Sequence, residues 1–273
     1  MTTQAEAPPK HPIVRLADFV VGLPMGFVRG VGQHARLLFQ AAAWAVRPPY
    51  RVRLLIEQAE FIGVESVPII ALTGFFSGAV IALQGVYAFR LVQAERFVGT
   101  ALGLTLTREL GPVFTCLMIT ARAASGMATE LGSMRITEQI DAITAFAVNP
   151  VQYLVTPRLL AGTIMAPLLT MVFNLTGIFG GYMAAVVIEN VDPAQFFYTL
   201  RWYTDPTDVF QGLFKAMVFG LTLTLVGCFQ GFFASGGAKG VGIATTRAVV
   251  ISSVLILCLD YFLGDILLAV LSK

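Results

Sequence analysis

The sequence predicts an all-α integral membrane protein: five transmembrane helices, preceded by an N-terminal interfacial amphipathic region and carrying a short cytoplasmic helix between spans 2 and 3. Two observations of composition and one of pattern predict it. Hydrophobic residues make up 56% of the 273-residue chain and charged residues 12%, where soluble domains carry about a quarter charged residues. Mean hydropathy is +0.78, too high for a water-facing surface of this size, because a folded domain of such length still exposes much of its chain. Three stretches, 66–89, 159–188 and 216–238, contain no Asp, Glu, Lys or Arg. Each is long enough for a bilayer crossing, which takes about 20 apolar residues.

Taken in order, residues 1–10 are polar and Pro-rich, without the apolar core and small-residue cleavage site of a removable signal. Residues 13–46 mix Phe19, Val20, Phe27, Leu37, Leu38, Phe39 and Trp44 with Arg15, Arg29, Arg36 and Arg47. That mixture predicts one or two helices in the membrane interface, their arginines reaching to headgroups. Residues 1–60 form this N-terminal region and 61–273 the membrane domain. Span 1 is the stretch 66–89. Span 2 is the interrupted apolar run 97–128, which holds Arg108, Glu109 and Arg122. The polar stretch 129–153 predicts a short amphipathic helix, with Thr137 as N-cap, Glu138 in the first turn and Asn149-Pro150 as the stop. Spans 3 and 4 are the other two uncharged stretches, and 235–242, Ser-Gly-Gly-Ala-Lys-Gly-Val-Gly, reads as a short turn. Span 5 is 248–272, weakened by Asp260 and Asp265.

Orientation follows from the basic residues. Lys10, Arg15, Arg29, Arg36, Arg47, Arg51 and Arg53 precede span 1, and Arg135, Arg158, Lys239 and Arg247 fall on the same side. The other side holds Arg90, Arg96, Arg201, Lys215 and Lys273, with an acidic loop over 189–208. The expectation is a cytoplasmic N-terminus and a C-terminus on the far side.

Ionised groups inside a span are costly and face a cavity or a partner. Arg108 and Glu109 point about 100° apart. Arg108 and Arg122, fourteen residues apart, fall on a similar face of an unbroken α-helix. Lining a cavity and pairing with another span both remain open for them. Pro112 lacks an amide donor and predicts a kink. Gly74-x-x-x-Gly78 predicts close helix packing, and Gln84 is a polar group within span 1. Asp260 and Asp265 lie on different faces, with Asp265 toward the membrane boundary. The glycine-rich turn lacks the spacing of a phosphate loop, and no nucleotide-binding signature occurs elsewhere. His11 and His34 precede span 1, and Cys116, Cys228 and Cys258 have no metal-ligand spacing. A net charge of +2 gives no basic field for nucleic acid. These features point to transport without a resident metal or cofactor. An ion-driven transporter is an alternative, though no inverted repeat is visible. A membrane scaffold is another.

Five segments carry a family resemblance: Gly74–Gly85, Arg108–Pro112 (Arg-Glu-Leu-Gly-Pro), Thr129–Ala142 (Thr-Glu-Leu-Gly-Ser-Met-Arg-Ile-Thr-Glu-Gln-Ile-Asp-Ala), Asn149–Arg158 and Ala244–Val250. They resemble the MlaE/YrbE family of ABC-transporter permeases from about residue 56 onward. The resemblance implies a permease without a nucleotide site of its own, in a bacterial inner membrane, working as a homodimer. It implies a cytoplasmic ABC ATPase that supplies ATP hydrolysis, a STAS-domain partner and a periplasmic MCE-domain protein. Its cargo would be phospholipid moved between inner and outer membranes, maintaining outer-membrane lipid asymmetry. Substrate-binding positions would be Ile81, Gln84, Phe89, Val92, Arg108, Glu109 and Leu110. The short helix would couple to the ATPase through Glu130, Met134, Arg135, Glu138 and Gln139. Ile143–Phe146 and Ala147–Pro150 depart from the family's common pattern.

Overall fold

A computed structural model of the chain describes residues 30–48 and 51–271. The interfacial residues Arg15, Phe19, Val20, Phe27 and Arg29, together with His11, lie outside that range. Residues 30–45 form helix α1. Span 1 comprises α2 (Val52–Ile62), a 3₁₀ turn (Val64–Ser66) and α3 (Val67–Arg90). Span 2 comprises α4 (Val98–Leu104), a π segment (Thr105–Leu110), α5 (Gly111–Ile119), a second π segment (Thr120–Ala124) and α6 (Ser125–Ile136). The short helix is α7 (Gln139–Ala145). Span 3 is a π segment (Val151–Val155), α8 (Thr156–Tyr182) and a last π segment (Met183–Ile188). Then come α9 (Pro193–Tyr203), α10 (Pro206–Phe232) as span 4 and α11 (Gly237–Leu271) as span 5. Five of these helical stretches are long and apolar enough to cross a membrane, and no strand occurs among the described residues. The all-α, five-span expectation holds.

Proline sets several helix starts. Asp192 Oδ1 accepts from the Ala194 amide ahead of α9. Asp205 and Asp208 form a reciprocal capping box around Pro206 at the start of α10. Asn149 Oδ1 accepts from the Val151 and Gln152 amides beside Pro150. In each case the ring occupies a first-turn position whose amide has no intrahelical partner.

Spans 1 and 3 meet along glycine. Ile70, Gly74, Gly78, Ala82 and Val86 recur every fourth residue and are buried. A Cβ on Gly78 would strike the Gly177 carbonyl, and one on Gly180 would strike the Phe75 carbonyl. The two backbones are therefore in direct contact, as the Gly74-x-x-x-Gly78 spacing predicts. The opposite face of α3 exposes Leu72, Phe76, Val80, Leu83 and Tyr87, the face a bilayer would cover.

Four expectations are corrected. Span 2 continues as α6 to Ile136, so Thr137 does not cap α7. Its hydroxyl donates back to the Ser133 carbonyl, and Glu138, with φ 59°, occupies the cap position in the left-handed region. The stretch 235–242 is mostly the first turns of α11. Only 233–236 lie between the helices, and the positive φ of Gly236 and Gly237 turns the chain. The acidic loop 189–208 contains α9, whose Phe196 and Thr199 are buried. Finally, Arg108 and Arg122 do not serve one face. Each sits in a π segment, and a π turn takes an extra residue, which breaks the 3.6-residue phase that would align them.

Candidate functional site at a charged seam

Two ionic clusters lie near the end of the bundle that carries α9, the first between spans 2 and 4 and the second among spans 2, 4 and 5. In the first, Arg108 Nε and Nη2 donate to Asp208 Oδ1 at 2.8 and 2.5 Å. Asp208 Oδ2 accepts from the Asp205 amide at 3.0 Å. One carboxylate thus caps span 4 and holds span 2. The second cluster is centred on Lys215, about 10 Å further along α10 at 1.5 Å per residue. Its Nζ donates to Glu109 Oε2 at 2.5 Å and to Asp260 Oδ1 at 3.0 Å. The Lys215 side chain is 2% exposed and that of Glu109 45%, so the cation is enclosed while one carboxylate keeps an open side. Gly264, four residues beyond Asp260, leaves room for the ammonium: a Cβ there would lie 3.3 Å from Nζ.

Two cations and three carboxylates therefore share the seam. Enclosed charges are held only where they are paired and hydrogen-bonded, and every member here has such a partner. Arg108 and Glu109 thus each pair with another span, and each retains partial exposure as well. Asp208→Asn keeps the volume but removes the charge facing Arg108. The expected cost is about 1.5–3 kcal/mol, the range for a hydrogen bond to a charged group, read as a lower thermal unfolding midpoint in detergent.

Lys215 corrects the orientation count. It is not a loop residue but a buried member of span 4, so it does not count toward the positive charge of the far side. Its signal was available: Asp208, Gln211, Gly212, Lys215, Phe219 and Leu223 recur at helical spacing, and all are buried. Arg158 is corrected likewise. It is buried in the first turn of α8, with Nη2 2.8 Å from Glu130 Oε1 and Nη1 donating to the Leu154 carbonyl at 2.7 Å. Arg122 binds the Phe61 carbonyl at 2.6 Å, Ser66 Oγ at 2.9 Å and the Glu65 carboxylate. It fastens span 2 to the start of span 1.

The remaining candidate positions are spread over spans 1 and 2 and the segment after α3. Ile81 and Phe89 are half-buried against the core. Gln84 is exposed in a cleft of ≈ 290 Å³ lined by Leu83, Tyr87, Arg90 and Glu189, where Arg90 pairs with Glu189 at 2.6 Å. Val92 is exposed after α3, and Leu110 is half-buried at the end of its π segment. These positions lie toward the same end of the bundle as Arg108 and Glu109. Asp265 is exposed, while Cys116 and Cys228 are buried and Cys258 is exposed. Among the described residues no group of three or more His, Cys, Asp or Glu side chains is placed to hold a metal.

At the opposite end, α7 rests on the bundle through buried Ile140 and through Ile143. Gln139, Asp141, Ala142 and Ala145 face outward, followed by Phe146 at 82% exposure. Arg135 Nη1 to Asp141 Oδ1, 2.7 Å, ties α7 to α6. Of the expected coupling residues, Glu130, Met134 and Arg135 belong to the end of span 2, Glu138 is the cap and only Gln139 is within α7.

Five apolar spans closed around paired charges define a polytopic α-helical membrane protein. Residues 55–266 match the family model described as Permease MlaE. A Rickettsia felis protein named "Probable ABC transporter permease protein" is 39% identical over 254 residues, covering 93% of this chain and 98% of that protein. The Haemophilus influenzae "Intermembrane phospholipid transport system permease protein MlaE" is 35% identical over 242 residues, covering 88% and 93%. The chain belongs to the MlaE permease family, and with it to the ABC transporter permeases.

Proposed function

We propose that the chain is the membrane subunit of an ATP-driven phospholipid transporter linking the inner and outer membranes of a bacterium, and that it helps maintain outer-membrane lipid asymmetry. The observation that carries this reading is the similarity along 93% of the Haemophilus protein, whose name specifies intermembrane phospholipid transport. The geometry supports it. Half-buried apolar Ile81 and Phe89, the cleft at Gln84 and the partly open Glu109 and Arg108 lie toward one end of the bundle. Together they offer apolar surface for acyl chains and polar groups for a headgroup. The chain would work as a homodimer, as the family resemblance implies. In that dimer the two sets of candidate residues would complete one another across the axis. The N-terminus would be cytoplasmic and the C-terminus periplasmic, with STAS-domain and MCE-domain partners on the respective sides.

Energy would enter through α7, whose outward face and exposed Phe146 suit docking of a cytoplasmic ATPase. Phe146→Asp, in proteoliposomes with the co-expressed ATPase, is expected to lower ATP-dependent transfer of labelled phospholipid at least tenfold while the far-ultraviolet spectrum stays that of the unmodified chain. Unchanged ATP-dependent transfer in this variant would remove α7 from the coupling path.

A further inference from the structure

At the α7 end, where α1 meets the starts of spans 1 and 3, lies a cavity of ≈ 210 Å³ lined by Trp44, Arg51, Val52, Leu55, Gln152 and Leu160, among others. Its wall is mostly apolar. Through Arg51 and Val52 it adjoins a second, more polar hollow of ≈ 650 Å³, bordered by Arg53, Glu57 and Tyr153. Val52 and Leu160 are exposed on the flank that a bilayer would cover.

Two donors in the first cavity have no acceptor: Arg51 Nε and Gln152 Nε2 are buried without a hydrogen-bond partner. Buried polar atoms are satisfied in the great majority of cases, so two unfilled donors on one cavity call for an acceptor oxygen from outside the chain. The Arg51 guanidinium lies over the Tyr153 ring at 4.6 Å from its centroid, a cation–π contact that helps hold it in place. Arg47, Arg51 and Arg53 cluster within seven residues at the foot of span 1, the arrangement that attracts anionic headgroups. Arg53 is already paired with Glu57 at 3.0 Å, Arg47 lies over the Trp44 ring at 5.9 Å, and of the three cations only Arg51 lines the cavity.

We propose that this hollow binds one anionic glycerophospholipid, with an acyl chain in the apolar cavity and phosphate or ester oxygens on Arg51 Nε and Gln152 Nε2. The site is separate from the charged seam by most of the length of the bundle. It does not depend on which lipid the transporter moves. The bound lipid would join α1 to spans 1 and 3 and so couple the N-terminal helix to the bilayer's anionic content.

Native mass spectrometry of the full chain in detergent, titrated with phosphatidylglycerol, tests this. The unmodified chain is expected to hold one phosphatidylglycerol more tightly than Arg51→Gln by about tenfold, equivalent to about 1.4 kcal/mol. Leu55→Trp fills the apolar cavity while leaving Arg51 in place, and it is expected to lose the same lipid. Inorganic phosphate alone is expected not to displace it. Equal retention by the unmodified chain and both variants overturns the proposal, as does displacement by phosphate. So does lipid binding that emerges only after deletion of residues 1–29, which would make the chain's own N-terminal segment the occupant. The transport reading fails by a different result, ATP-independent or absent phospholipid transfer, so the two are separable.

Discussion

Lys215→Met is expected to destabilise the protein by about 3–5 kcal/mol, the range for stripping one partner from a buried ion pair. The ammonium is enclosed and bonded to carboxylates from two different spans. Without it, Glu109 and Asp260 face each other across the space that it filled with no cation between them, and like charges repel. The effect should therefore exceed that of losing either carboxylate alone. Unfolding in mixed micelles, followed by circular dichroism against denaturant fraction, measures it. The triple variant Lys215→Met, Glu109→Gln, Asp260→Asn is expected to recover most of the loss, because replacing all partners of a buried pair leaves no orphaned charge. A triple variant as unstable as the single one would show that Lys215 acts by packing rather than by charge.

Gly78→Leu is expected to have the second largest effect. Its side chain would have to displace the Gly177 backbone, not the end of a flexible side chain. Overpacking of this kind costs about 1–3 kcal/mol and at times more. Separating spans 1 and 3 would also release the reciprocal contact between Gly180 and Phe75. Gly85→Ala on the same helix is the control. A Cβ there meets only Val98 Cγ1 at 3.7 Å, ordinary van der Waals contact, so its midpoint should stay within experimental scatter. Comparable losses at both positions would refute backbone contact as the source of the Gly78 sensitivity.

The spans were legible because charge-free length is a local property. The Gly74-x-x-x-Gly78 contact was legible for the same reason: one helix turn contains the whole signal. The charged seam was only half legible. Arg108 and Glu109 announce themselves by standing inside an apolar run, but their partners lie about a hundred residues away, and nothing local joins them. Lys215 borders an uncharged stretch, so a segment drawn by charge alone stops at Ala216 and leaves the lysine outside. Burying it is affordable only because Glu109 and Asp260 are present, a condition that spacing does not reveal. Thr137 failed as a cap for a related reason. Its hydroxyl has a choice between capping forward and bonding back to the Ser133 carbonyl, and continued packing of α6 against spans 4 and 5 favours the second. The π segments were invisible, since they follow from tertiary packing and shift phase without changing composition.

Asp208 has one further consequence. Helix ends ordinarily fray independently of one another, each opening at its own small free energy. Here one carboxylate closes the first turn of α10 and also neutralises Arg108 on a neighbouring helix. That turn cannot unwind without releasing the guanidinium, and Arg108 cannot swing free without loosening the turn. Amide hydrogens at the beginning of α10 should therefore exchange with solvent in step with those around Arg108, as a single cooperative unit assembled from segments a hundred residues apart.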